Sequence, residues 1–292
     1  MKLAGCLIAI PTPFSELGVD HAVLAQHASW AVDHGVRGIV VCGTTGEAAT
    51  MTHDERVLAM RVVKESVGDR VPVLGGVGSN STAETIDAVR RVTREVALDG
   101  VMCVVPYYNK PPQRGMVSHF TAIADASPVP VLVYNVPSRT AISLSLDSML
   151  RLAEHPNVLG FKEASGDLIV DALLCDGAGS RSLLSGDDST AMAFMALGGH
   201  GVISVVGNVA PSWVAELCAA TTRGDLETAR RVNARVVRLH QLMFAQPSPA
   251  PAKAALEWLG FGPQRLRLPM MPLEPGEKAT LFGELERLEV PR

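Results

Sequence analysis

A chain of 292 residues, 47% apolar and only 19% charged, can bury a large core and leaves little sequence for disorder. Its net charge of −4, with no basic run, argues against a nucleic-acid partner, because phosphate binding needs a concentrated positive face. No apolar stretch approaches bilayer-spanning length, and Met1-Lys2-Leu3-Ala4-Gly5 enters a strand-like segment without a signal-peptide pattern, so a cytoplasmic protein with no membrane partner is expected.

Taken in chain order, short apolar runs predict strands at 7–10, 38–42, 71–74, 101–105, 129–134, 158–161, 182–184 and 202–206. All but 182–184 are nearly continuous in apolar residues, as expected of parallel strands covered on both faces. Segments of helical period separate them, at 21–34, 53–67, 82–98, 114–126, 145–154 and 190–197. A βα unit repeated eight times over roughly two hundred residues predicts an α/β fold, the (β/α)8 TIM barrel. A doubly wound sheet is the alternative, but no Gly-x-Gly-x-x-Gly opens the first helix. From 211 on the pattern is helical alone, at 211–222, 225–244, 251–259 and 274–288, with a proline-rich break at 246–251 that is expected to be non-helical. The division expected is a catalytic barrel over 1–224 and a C-terminal helical domain over 225–292.

Cys6, Cys42, Cys103, Cys175 and Cys218 are odd in number and mostly lie within apolar runs, which reads as reduced packing cysteines. The eight histidines form no ligand spacing, and Asp187-Asp188 reads as a cap for the helix beginning near Thr190, so no metal is expected.

The chemistry concentrates at strand C-termini, where this architecture places its active sites. The sixth strand ends in Gly160-Phe161-Lys162-Glu163-Ala164-Ser165-Gly166. If Lys162 points inward, alternation puts Gly160 and Ala164 on its face and turns Phe161 and Glu163 away. A lysine in an apolar setting without an acidic partner has an accessible neutral amine, which can attack a carbonyl carbon. After the second strand, Gly43-Thr44-Thr45-Gly46-Glu47 brings backbone N–H groups and two hydroxyls together, a cluster suited to a carboxylate. Pro106-Tyr107-Tyr108-Asn109 follows the fourth strand, and Tyr134-Asn135-Val136-Pro137-Ser138-Arg139-Thr140 ends the fifth. These hold all three tyrosines of the chain, each able to move a proton if sheltered, and an arginine able to hold a carboxylate through a two-point fork.

Together with Leu184-Ser185-Gly186-Asp187-Asp188, these segments resemble the dihydrodipicolinate synthase family of the pyruvate-dependent class I aldolase superfamily, in order and spacing along essentially the whole chain. The resemblance implies that Lys162 forms a Schiff base with pyruvate, with no other cofactor. Tyr134, hydrogen-bonded to Thr44, would shuttle protons, and Tyr108 would complete the relay from a neighbouring subunit. Thr44 and Thr45 would hold the pyruvate carboxylate, with Gly186 and Ile203 shaping its pocket. Arg139 would receive the carboxylate of L-aspartate-4-semialdehyde, the second substrate. A homotetramer, a dimer of dimers, is implied.

Another aldolase or lyase of the same barrel is the alternative. A non-catalytic paralogue that binds a 2-oxo acid is a second, although such a copy is expected to have lost part of the set. The family more often has glutamate at Gln246 and asparagine at Ser248. Members inhibited by L-lysine bind it at positions matching Ala48, Ala49, His53, Arg56, Asn80, Glu84 and Tyr107. Sensitive members commonly have serine at Ala48 and histidine at Arg56, so lysine inhibition is expected to be weak or absent here.

Overall fold

A computed structural model describes residues 1–291. Eight parallel strands close a barrel in sequence order: β1 Gly5–Ala9, β2 Ile39–Val41, β3 Val73–Gly76, β4 Gly100–Val104, β5 Val131–Asn135, β6 Val158–Glu163, β7 Ser182–Ser185 and β8 Gly201–Ser204, with β8 pairing back to β1. Each boundary lies within two residues of its expectation. The connecting helices are α1 His21–Asp33, α2 His53–Val67, α3 Thr82–Glu95, α4 Gln113–Ala126, α5 Leu146–Ala153, α6 Leu168–Gly177, α7 Ala191–Ala196 and α8 Pro211–Thr222. Several starts are set by side chains that accept an orphan N–H: Asp20 from Val23, Ser81 from Glu84, Ser145 from Ser148, and Thr52 from Glu55 in a reciprocal capping box.

Alternation along the strands separates two cores. Leu7, Ala9, Val40, Leu74, Met102, Leu132, Tyr134, Leu184 and Ile203 fill the barrel interior. A larger cluster, including Ile8, Ile39, Val101, Phe120, Val133, Phe161 and Phe194, fills the space between sheet and helices. Burying a side chain of this size contributes about 1.5–3 kcal/mol. Between β5 and β6 the register shifts by one residue, so Val131 pairs Val158 while Leu132 pairs Gly160. Gly160 has φ 154, and a Cβ there would stand 1.9 Å from the Ser182 carbonyl oxygen, so only glycine allows β6 and β7 to meet at this bulge.

Three features differ from expectation. Residues 246–251 are not wholly non-helical, because α10 runs Ala250–Trp258 with Pro251 in its first turn, where no intrahelical donor is lost. The segment after β5 is a single helical turn, Pro137–Thr140, rather than an open loop. Asp188 does not cap the helix after it: its carboxylate accepts from Val205 N at 2.9 Å, Val206 N at 3.0 Å and the Ser204 hydroxyl, tying β7 to the turn beyond β8. Asp187 makes the local turn instead, accepting from Ser189 N at 2.8 Å. The helices α9 Leu226–Met243, α10 and α11 Pro275–Arg287 follow α8, and the stretch before α11 crosses back toward the β2 side of the barrel mouth. Among the described residues no helix is long and apolar enough to cross a membrane, and all five cysteines are free.

Candidate active site

Lys162 and Tyr134 are direct partners in the register of β6 and β5, so their side chains leave the same face side by side. The Lys162 Nζ lies 4.1 Å from the centroid of the Tyr134 ring. Lys162 is 5% exposed and, among the described residues, forms no ion pair. Burial lowers its pKa from the ordinary value of 10.5 to about 7. Arg139 acts in the same direction, and the charge of Asp188 opposes both. Half of the amine is therefore free base near neutrality.

The acid next in sequence is turned away, as alternation requires. Glu163 accepts from Asn135 Nδ2 at 2.9 Å and from Ser165 N at 2.7 Å on the opposite face. Burial pushes its carboxyl upward against those hydrogen bonds. Gly186 flanks the lysine from β7, where a Cβ would meet Ala164 Cβ at 2.7 Å and Lys162 Cε at 3.1 Å. Ile203 is buried in the barrel interior beneath the mouth.

Tyr134 is also buried, which pushes its phenol up to about 12. Arg139 and a hydrogen bond with the Thr44 side chain pull it down, while Asp187 and Glu163 push it up. Thr44 belongs to a tight turn in which Gly46 N donates to Gly43 O at 3.1 Å and Glu47 N to Thr44 O at 3.0 Å. The turn presses against the barrel, since a Cβ on Gly46 would stand 3.1 Å from Ile10 O and 3.2 Å from Cys42 N. The Thr12 hydroxyl donates to Gly46 O at 2.7 Å. Thr44 is exposed at the mouth and Thr45 is buried behind it.

A cavity of about 520 Å³ is lined by Thr44, Tyr134 and Arg139, whereas Lys162, Thr45, Gly186 and Ile203 are not part of its lining. Arg139 is exposed on its helical turn and makes no ion pair among the described residues, which leaves its fork available to a ligand carboxylate. The same cavity is also lined by Ala48, Ala49, Arg56, Asn80, Glu84 and Tyr107. There Arg56 Nη2 donates to Ala48 O at 2.5 Å and Ser79 Oγ to Glu84 Oε2 at 3.0 Å. His53 lies outside the lining, with its Nε2 buried and unpartnered and its pKa lowered by burial and by Arg91 and Arg56. Ser248 lines the cavity, whereas Gln246 turns outward to Glu277 at 2.6 Å.

Tyr108 is not brought to this cluster within one chain. It is 88% exposed, with φ 71 in the left-handed region, and it does not line the cavity that Tyr107 lines. Two further groups bear on the site without having been singled out for it. Asp188 faces Lys162 electrostatically, and Glu47 anchors the threonine turn through a buried ion pair with Lys253 at 2.6 Å. Both depend on contacts between segments far apart in the chain. Among the described residues no group of three or more His, Cys, Asp or Glu side chains is arranged to hold a metal ion.

The family model of the dihydrodipicolinate synthetase family matches residues 2–287. A 4-hydroxy-tetrahydrodipicolinate synthase of Acidiphilium cryptum is 45% identical over 286 residues, covering 97% of this chain and 98% of the relative. Among solved structures, the chloride-inhibited dihydrodipicolinate synthase of Acinetobacter baumannii complexed with pyruvate is 36% identical with a TM-score of 0.96, covering 99% of this chain and 100% of that one. The Cyanidioschyzon merolae enzyme with lysine bound is 36% identical with a TM-score of 0.95, covering 99% of both chains. Matched along almost its entire length in sequence and in backbone, the chain belongs to the dihydrodipicolinate synthetase family.

Proposed function

We propose that this chain is the lyase that condenses pyruvate with L-aspartate-4-semialdehyde to 4-hydroxy-tetrahydrodipicolinate, a step of diaminopimelate and lysine biosynthesis in the cytoplasm. The observation that carries the reading is the buried, unpaired Lys162 amine set over the ring of Tyr134, which itself lines a cavity together with Thr44 and Arg139. The free amine adds to the ketone carbon of pyruvate, and loss of water gives an iminium that draws electrons from the methyl group. Tyr134, in hydrogen-bond contact with Thr44, moves the protons of dehydration and of methyl deprotonation. The resulting enamine adds to the aldehyde carbon of the second substrate. The amine of that substrate then displaces Lys162 in closing the ring.

Arg139 receives the carboxylate of the semialdehyde, and the Thr44–Thr45 turn receives that of pyruvate. This assignment separates the reading from an aldolase acting on a sugar acid, because a fork left without its carboxylate discriminates strongly against the wrong acceptor. The iminium is itself the electron sink, so the chemistry calls for no added cofactor.

The assembly is proposed as a homotetramer built from two dimers. Tyr108, exposed and at φ 71, would reach the partner's site, and its exposure and the left-handed backbone there, continued at Lys110 with φ 46, support that reading. A second face carries Leu168, Ile169 and Leu173 of α6 and Leu197 after α7, exposed by 42%, 75%, 50% and 40%. Such an apolar surface suits a subunit contact.

Borohydride reduction in the presence of pyruvate, followed by peptide mass spectrometry and an assay with L-aspartate-4-semialdehyde, tests the reading. A reduced pyruvyl adduct on Lys162 together with turnover is expected. An adduct without turnover would assign a different acceptor, and no adduct would favour the non-catalytic paralogue.

A further inference from the structure

Glu47 closes the turn that carries Thr44 and Thr45, and its carboxylate is almost wholly enclosed, with its side chain 2% exposed. Its backbone is left-handed at φ 53, a conformation that a non-glycine residue holds only when its surroundings impose it. Those surroundings come from the other end of the chain. Lys253 on α10, with its side chain 4% exposed, donates Nζ to Glu47 Oε1 at 2.6 Å. Arg267 N donates to Glu47 Oε2 at 3.2 Å, and the Arg267 side chain continues to Glu55 and to Thr50 O. Both cations lie over the ring of Phe14, Lys253 Nζ at 4.3 Å and the Arg267 guanidinium carbon at 4.4 Å from its centroid.

A buried ion pair gains little stability over apolar packing of the same volume, so its presence calls for another explanation. The explanation lies in what the pair holds. Glu47 N donates to Thr44 O, the Thr44 side chain is near enough to the Tyr134 phenol to pull its pKa down, Thr44 and Tyr134 line the same cavity, and the Tyr134 ring lies against Lys162 Nζ. The path runs from a helix outside the barrel to the reacting amine in four steps.

We propose that Lys253 is a positioning residue for the reaction, holding the Glu47 carboxylate so that the Thr44 hydroxyl stays aligned with Tyr134 for proton transfer. The proposal rests on the reading of the site as a pyruvate Schiff-base centre. It separates two functions of the site. The imine occupancy reached at equilibrium, which borohydride trapping reads after full incubation with pyruvate, needs only the Lys162 amine, whereas the rates of dehydration and of methyl deprotonation need the aligned threonine and tyrosine.

The test compares the parent chain with Lys253→Met and Glu47→Gln in two assays on pyruvate alone. One is borohydride trapping at Lys162, and the other is exchange of the pyruvate methyl protons into deuterium oxide followed by proton resonance. For Lys253→Met, trapping within threefold of the parent and exchange slowed about a hundredfold are expected, on the scale of a lost proton-transfer group. Glu47→Gln retains a hydrogen-bonding carbonyl for Lys253 and should slow exchange by about tenfold, a smaller loss because the contact survives without its charge. Exchange at the parent rate in folded Lys253→Met overturns the proposal, as does an equal loss of trapping and exchange, which would mark a purely structural lysine. If Lys253→Met does not fold, Glu47→Gln decides by the same split. A parent chain that forms no pyruvate adduct overturns the Schiff-base reading and this proposal with it.

Discussion

Lys162 and Tyr134 are register partners on adjacent parallel strands, and the amine sits 4.1 Å from the centre of the phenol ring. Burial moves the two in opposite directions: it brings the lysine down to about 7, so that it is only partly charged at neutral pH, and takes the tyrosine up to about 12, so that its phenol stays protonated. In the proposed reaction the pair would meet pyruvate as a partly deprotonated amine with a neutral phenol beside it, the states that carbinolamine formation and dehydration call for.

The first prediction follows from the amine. Below its pKa of about 7 the rate of adduct formation with pyruvate should rise about tenfold per pH unit, and above it the rate should level off. Rapid-quench trapping across pH 5 to 9 reads this directly. A midpoint near the ordinary lysine value would show that the amine is not desolvated as the structure has it.

The same shift has a thermodynamic consequence. The folded chain releases this proton near pH 7 and the unfolded chain only near 10.5, so across that window the unfolded state binds more protons and stability rises with pH. Lys162→Met, inert toward pyruvate, should remove that dependence and be more stable at pH 7 by on the order of a few kcal/mol. Chemical denaturation of the two proteins at pH 7 and pH 9 would show the gap narrowing at the higher pH.

Arg139→Met removes the fork at the cavity mouth and one of the two influences that lower the lysine. KM for L-aspartate-4-semialdehyde should increase by about a hundredfold, since a charge-assisted fork is lost, while pyruvate trapping at pH 8 stays near the parent level. The midpoint of the pH profile should also move upward. An unchanged KM would remove Arg139 from the second-substrate site.

The Arg56 guanidinium is held on Ala48 O and lines the same cavity as Ala49, Asn80, Glu84 and Tyr107. A fixed cation disfavours a cationic amino acid there, so L-lysine should inhibit the enzyme weakly or not at all. Arg56→His should strengthen any inhibition. Half-inhibition of the parent enzyme at sub-millimolar lysine would contradict this account.

Much of this architecture is legible in the chain itself, because parallel strands buried on both faces leave apolar runs and their ends leave glycine, proline and tyrosine. Even the polar run at β7 is a strand, since the Ser182 hydroxyl accepts from Leu3 N at 2.9 Å. What the pattern conceals has physical reasons. Helix α6 keeps Leu168, Ile169 and Leu173 on its outer side, so no polar face reveals its period. The role of Asp188 depends on a strand sixteen residues later, and that of Glu47 on a lysine 206 residues away. No local spacing encodes such pairings. Tyr108 is recognisable as a motif, yet it is 88% exposed and its proposed use would come only from a second subunit.

Gly186 gives the most local test of the site's geometry. A Cβ at this position would stand 2.7 Å from Ala164 Cβ and 3.1 Å from Lys162 Cε, with the Glu163 carbonyl oxygen at 3.3 Å. The alanine neighbour belongs to the chain just beyond β6 and cannot swing aside, so the lysine stem must yield by a few tenths of an ångström. Gly186 also donates its N–H to Glu163 O at 2.6 Å, which holds β7 against β6 and prevents the glycine from retreating. Gly186→Ala should therefore leave the barrel folded, with a destabilisation of about 1–3 kcal/mol from overpacking. Displacing the nucleophile should slow pyruvate trapping by about threefold to tenfold at every pH, because a shift of a few tenths of an ångström is smaller than the roughly 1 Å misplacement that costs about a hundredfold. A loss confined to acidic pH would instead mean that the alanine has raised the lysine pKa, so trapping at pH 6 and at pH 9 separates displacement from retitration.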